Sequence, residues 1–105
     1  MSLVTTHVLD TAAGKPAAGV AVELRDAEGA LVASGRTDDD GRIRDLGPAF
    51  LAAGVYRLVF DTGGYLGPGA FFPEVTVTFR IPDPPTHHHV PLLLSPYSYS
   101  TYRGS

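Results

Sequence analysis

Glu74-Val75-Thr76-Val77-Thr78-Phe79-Arg80-Ile81 alternates apolar and polar side chains without a break, and a period of two marks a strand with one buried and one solvated face. Working upstream, Val55 to Asp61 sets Tyr56, Leu58 and Phe60 on one face and Arg57 and Val59 on the other. Val20, Val22 and Leu24 alternate in the same way with Ala21, Glu23 and Arg25. Leu3 to Leu9, Leu31 to Thr37, Arg42 to Arg44, His87 to Leu94 and Tyr97 to Arg103 bring the strand candidates to eight. Clusters of Gly, Pro and Asp separate them at intervals of about ten residues, as in an all-β sandwich or barrel. Ala27-Glu28-Gly29 and Asp38-Asp39-Asp40-Gly41 read as turns.

Helical periodicity is nearly absent. Pro48 to Ala53 is the one short segment that reads as helical, while Thr11 to Pro16 and the glycine-rich stretch from Thr62 to Pro73 read as loops, the latter with room for a helical turn. Asp83-Pro84-Pro85 is a stiff turn, since proline fixes φ and donates nothing to a ladder. No repeat or composition break divides the chain, so residues 1–105 read as one domain.

Composition narrows the function classes. Hydrophobic residues make up 44% of the chain and charged residues 18%, the profile of a globular fold. Without cysteine there is no disulfide framework, thiolate nucleophile or cysteine-based metal site. The formal charge is −3, and one lysine, Lys15, accompanies seven arginines, so no basic patch for nucleic acid is evident. No apolar run approaches the ~20 residues of a membrane-spanning helix. The opening Met1 to His7 lacks the basic and long apolar regions of a secretion signal, and the expected location is cytoplasmic.

Three histidines in a row, His87-His88-His89, enter a strand. Parity puts His88 with Val90, Leu92 and Leu94 on the core face, and His87 and His89 toward solvent or a subunit interface. Two imidazoles at i and i+2 suit a metal, an acid/base pair or a surface role, with His7 as a third candidate ligand. No acidic group lies nearby in sequence to complete a metal site, so none is assigned. His7 shares its strand face with Thr5 and Leu9, and by itself fits a structural role as well as a functional one. Arg42 and Arg44 are equal candidates for an ion pair with the Asp38–Asp40 turn, worth about 1 kcal/mol or less. Finally, Tyr97 to Ser105 alternates Tyr with Ser or Thr after a Ser-Pro turn. A last strand of this kind is expected to end inside the fold and hold Arg103 and the terminal carboxylate in place.

Thr5-Thr6-His7-Val8-Leu9-Asp10, Asp40-Gly41-Arg42, Phe71-Phe72-Pro73-Glu74-Val75, His89-Val90-Pro91-Leu92-Leu93-Leu94-Ser95-Pro96 and Tyr102-Arg103-Gly104-Ser105 together resemble the 5-hydroxyisourate hydrolase family of transthyretin-like proteins. The resemblance spans the chain, and the terminal Tyr-Arg-Gly-Ser is the feature that separates these hydrolases from transthyretin. It implies a two-sheet, eight-strand sandwich with at most one short helix, assembled as a homotetramer, a dimer of dimers around a central channel with sites where the dimers meet. The implied reaction is cofactor-free: ring opening of 5-hydroxyisourate to 2-oxo-4-hydroxy-4-carboxy-5-ureidoimidazoline in urate breakdown. Carried over by position, the catalytic residues fall on His7, Arg42 and His89, and the substrate-binding residues on Tyr102, Arg103, Gly104 and Ser105. The sequence departs from the family at His88, where tyrosine is common, and at Ser98, where glycine is frequent.

The residue types suit that chemistry. Hydrolytic ring opening needs a base for water, a cation for the developing oxyanion and an acid for the leaving nitrogen. Histidine and arginine supply these, and the planar guanidinium matches a flat, oxygen-rich anion. Base and acid are not distinguished between His7 and His89. The competing reading is a noncatalytic module that carries a small hydrophobic ligand; a histidine metal-binding protein is the third.

Overall fold

The computed structural model describes residues 2–105. Two β-sheets pack face to face, as the alternation predicts. One contains β1 (Val4–Asp10), β2 (Lys15–Pro16), β5 (Arg42–Ile43), β8 (His88–Ser95) and β9 (Ser98–Thr101), in the order β2-β1-β8-β9, with β5 also paired to β1. The other runs β4 (Leu31–Arg36), β3 (Ala21–Asp26), β6 (Gly54–Phe60) and β7 (Val75–Ile81). Only β1 and β8 run parallel. β2 and β5 share the outer edge of β1, β5 opposite Thr6 and His7 and β2 opposite Leu9 and Asp10.

The core lies between the sheets and follows the predicted parities. Leu24, Leu58, Phe60, Leu92 and Leu94 are each at most 1% exposed, and complete burial of such a side chain stabilises the fold by roughly 1.5–3 kcal/mol. Val75 and Ile81 at the ends of β7 are buried, while Val77 and Phe79 between them are half-buried. There the sheets part, leaving a cavity of about 310 Å³ next to His88 and Val90. His88 stacks on Phe79, and its Nδ1–H donates to the Thr86 carbonyl at 2.7 Å.

The described residues contain nine strands where eight were expected, because the Thr11–Pro16 loop holds the short β2. Pro16 is tolerated because the strand lies at an edge. The fourth predicted strand is the two-residue β5. Pro48 to Ala53 is not helical. Six residues form no stable helix alone, and their carbonyls serve other partners: Pro48 accepts from the Leu3 amide and Ala52 from the Tyr56 hydroxyl. The helix, α1, is Thr62–Leu66, in the stretch read as a loop with room for a helical turn. Two glycines make a poor helix former, but the segment is tied at both ends. Asp61 caps the Gly64 amide, the Gly63 amide donates to Pro73, and Tyr65 Oη donates to Asp10 at 2.8 Å. No helix among the described residues is long and apolar enough to cross a membrane.

Candidate active site

The site is built on the outer face of the β1–β8 sheet from side chains of matching parity. In the parallel pairing Thr5 lies opposite His89, and in the antiparallel pairing His7 lies opposite Arg42. Thr5, His7, Arg42 and His89 therefore gather on the face turned away from Val4, Val8, Val90 and Leu92. His87 joins them from the residue before β8. Thr5, Arg42, Arg44, His87, His89 and Ser105 line one pocket of about 200 Å³.

The turn before β5 treats the two arginines that line this pocket differently. Asp38 Oδ1 accepts from the Asp40 and Arg42 amides at 2.8 and 3.0 Å, and Oδ2 accepts from Arg44 Nη1 at 2.9 Å. The Arg42 amide, with the Asp40 amide and Arg44 adding to it, holds the Asp38 carboxyl below its ordinary range against the opposing effect of desolvation. The equal local candidacy of the two arginines is thus resolved. Arg44 takes the carboxylates, and the Arg42 guanidinium has no hydrogen bond or ion pair among the described residues. Gly41, at φ 74°, closes the turn directly against β1: a Cβ there would strike the Val8 carbonyl. Its own carbonyl accepts from the Val8 amide at 2.7 Å, fixing β5 beside His7.

The imidazoles differ in environment. His7 is half-buried, and its Nε2 is buried with no hydrogen-bond partner. His89 Nδ1 lies 2.8 Å from Thr5 Oγ1, which also lies 3.1 Å from His87 Nε2. Burial, followed by the charge of Arg42 and then by His7 and His87, lowers the His89 pKa below the ordinary imidazole value of 6.5. The shift favours the neutral imidazole, the form able to accept a proton.

The terminal tetrapeptide does not act as one unit. β9 ends at Thr101, and the exposed Tyr102 and Arg103 line the other cavity, beside Phe79 and His88. The Arg103 side chain forms no hydrogen bond or ion pair among the described residues, and the chain end is tied to the sheet at the next residue, Gly104. Gly104 and Ser105 return to the first site. The Gly104 amide donates to the His89 carbonyl at 2.8 Å, and the residue lies so flat on the imidazole that a Cβ would come within 2.6 Å of His89 Cδ2. Thr5 was not selected from the sequence, and His87 was weighed there only as one of two imidazoles at i and i+2. Their shared parity with His7 and His89 was visible, but the pairing of β1 with β8 was not. Among the described residues no three His, Asp or Glu side chains are grouped to hold a metal ion.

The sequence model of the HIUase/Transthyretin family matches residues 4–104. The chain belongs to this family. It is 48% identical to a 5-hydroxyisourate hydrolase of Salmonella dublin, over 99% of this chain and 82% of that protein. The structure of Klebsiella pneumoniae 5-hydroxyisourate hydrolase superimposes with a TM-score of 0.87 at 40% identity, covering 97% of this chain and 98% of that one. Sea bream transthyretin in complex with thyroxine gives a TM-score of 0.85 at 34% identity, covering 96% and 93% of the two chains. The chain is thus similar both to 5-hydroxyisourate hydrolases and to a transthyretin in complex with thyroxine.

Proposed function

We propose that this protein is a 5-hydroxyisourate hydrolase that opens the ring of its substrate by adding water across a carbonyl carbon–nitrogen bond, in urate breakdown. The observation that carries the reading is that Arg42, whose guanidinium has no hydrogen bond or ion pair among the described residues, lines one pocket with His89, while His7, outside the lining, lies near enough to lower the His89 pKa. A cation free of carboxylates can bind an anionic, oxygen-rich heterocycle and stabilise the oxygen that gains charge when water adds. His89 takes a proton from that water, and an imidazole N–H returns one to the departing nitrogen. Arg42, His7 and His89 form the catalytic group; Ser105 contacts substrate at the pocket rim, and Gly104 seats His89. The reaction requires no cofactor, since base, acid and oxyanion partner are all side chains of the chain.

Tyr102 and Arg103 belong to the substrate site only through assembly, because within one chain they face the other cavity. Assembly as a homotetramer would bring a second copy's residues over the open outer face. The carrier reading draws on the thyroxine complex of sea bream transthyretin and on that cavity, lined in part by Val77, Phe79 and Val90. The deciding experiment is an ultraviolet assay of freshly generated 5-hydroxyisourate, with light scattering on the same sample. Faster decay that is abolished in Arg42→Ala supports the hydrolase. Unchanged decay with saturable binding of a hydrophobic ligand supports the carrier, and an active sample with the mass of one or two subunits refutes the tetramer.

A further inference from the structure

The Thr5 hydroxyl lies between two imidazole nitrogens, 2.8 Å from His89 Nδ1 and 3.1 Å from His87 Nε2. Thr5 itself is 7% exposed and His87 is exposed, so the bridge runs from the pocket wall to solvent through a buried oxygen. A hydroxyl has one proton to donate. If it donates to His87, His89 must donate its Nδ1–H to Thr5, which leaves the His89 Nε2 lone pair as the base. If it donates to His89, His87 must donate from Nε2, and His89 then carries its proton on Nε2 as the acid. The bridge thus forces the two neutral imidazoles to change tautomer together.

We propose that Thr5 is a positioning residue that couples His89 to His87, so that a proton taken up at His89 Nε2 is passed on to His87. The inference rests on the hydrolase reading and adds to it the route by which the proton leaves and returns. As water adds to the substrate, His89 Nε2 takes its proton, His89 Nδ1–H passes to Thr5 Oγ1, and the Thr5 hydroxyl proton passes to His87 Nε2. His87 then releases Nδ1–H to solvent. Thr5 ends with one proton, and both histidines end neutral in the opposite tautomer. When the ring nitrogen departs, His89 gives it the Nε2 proton and the bridge runs backwards, with His87 taking a proton from solvent at Nδ1. His89 serves as base and then acid without resting as an imidazolium.

The surroundings favour this route. The charged and titratable groups facing His89 are Arg42 on β5, His7 on β1 and His87, and all three act against positive charge on it. Arg44 also lines the pocket. His87, exposed at the rim, can exchange with water. Gly104 packs on the Cδ2 side of the His89 ring and keeps its Nδ1 edge toward Thr5.

Thr5→Val keeps the shape and removes the hydroxyl, Thr5→Ser keeps the hydroxyl, and His87→Gln removes the exit. Thr5→Val is expected to lower kcat by roughly 10²-fold with KM within about threefold, the effect of a lost acid/base connection, and Thr5→Ser to recover most of that loss. His87→Gln should lose about 10-fold, recovered by millimolar imidazole, because small bases replace an exposed proton acceptor more readily than a buried one. Side-chain ¹⁵N spectra of the substrate-free protein should show neutral His87 and His89 sharing one tautomer, both Nδ1–H or both Nε2–H, in wild type and in Thr5→Ser, and uncoupled in Thr5→Val. These spectra need no turnover, so a coupled pair in a protein inactive on 5-hydroxyisourate would refute the hydrolase reading and leave the bridge standing. The bridge is overturned if Thr5→Val melts like wild type and keeps its tautomers or its kcat, or if Thr5→Ser is as slow as Thr5→Val. For a Thr5→Val variant that fails to fold, His87→Gln decides: wild-type kcat there overturns the relay.

Discussion

Adding one methyl group at Gly104 tests whether the chain end seats His89. The new Cβ would stand 2.6 Å from His89 Cδ2, 3.2 Å from Cγ and 3.3 Å from the His89 Cβ. Ordinary carbon contacts lie at ~3.5–4.0 Å, so ring or chain end must move by about 1 Å. Movement of the ring stretches the 2.8 Å contact between Nδ1 and Thr5; movement of the chain end withdraws Ser105 from the pocket. A displacement of about 1 Å costs on the order of 10²-fold in rate when the group must meet its target in a fixed geometry. Stability should hardly change. Gly104 is half-buried, outside any named strand, and its φ is open to alanine. Surface changes of this kind shift stability by about 0.5 kcal/mol or less, and 1 kcal/mol corresponds to roughly 4–8 °C in a domain of this size. Gly104→Ala should therefore lower kcat/KM for freshly generated 5-hydroxyisourate by roughly 30- to 100-fold while Tm falls by less than about 4 °C. Turnover within threefold of wild type would refute the reasoning, because the geometry leaves no way to accept the methyl with His89 and Ser105 both in place.

Arg42→Ala should reduce kcat/KM by roughly 10²-fold or more, whereas Arg44→Ala, which breaks an exposed ion pair with Asp38, should leave kcat/KM within a few-fold; equal losses in steady-state kinetics would show that the Asp38 turn does not sort the two arginines. The acid limb of kcat/KM should lie below pH 6.5, because a lowered His89 pKa keeps its base form populated as pH falls; Arg42→Ala removes a nearby positive charge and should move that limb upward, and a pH profile showing no movement would separate His89 from the observed titration. Deleting Tyr102 to Ser105 should abolish turnover with a smaller effect on melting, since the segment is mostly exposed and its bond to the body of the sheet is the Gly104–His89 bridge; a truncated protein with normal turnover would remove the chain end from the site.

Local alternation determined much of this protein. The faces of Val22/Leu24, Tyr56/Leu58/Phe60 and His88/Val90/Leu92 could be assigned residue by residue, because a strand's period of two is a property of the backbone itself. The same periodicity placed His87 and His89 opposite the core, and the quoted motifs carried the family resemblance. What a strand pairs with is a long-range matter. Thr5 enters the site because β1 runs parallel to β8, a partner more than eighty residues away, and nothing in Thr5-Thr6-His7 records that. That Arg44 and not Arg42 takes the Asp38 carboxylate was hidden for a similar reason, since it depends on how one aspartate divides its two oxygens between two backbone amides and a guanidinium. The helix formed in a glycine-rich segment and not at Pro48–Ala53, because tertiary hydrogen bonds outweigh intrinsic preference in segments this short. Tyr102 and Arg103 diverge from Gly104 and Ser105 because β9 stops pairing at Thr101 and the chain then crosses back to His89. Residue type and parity are written along the chain; which side chains meet around a pocket is fixed by strand pairing and by competition for hydrogen-bond partners, and these exist only once the sheets have closed.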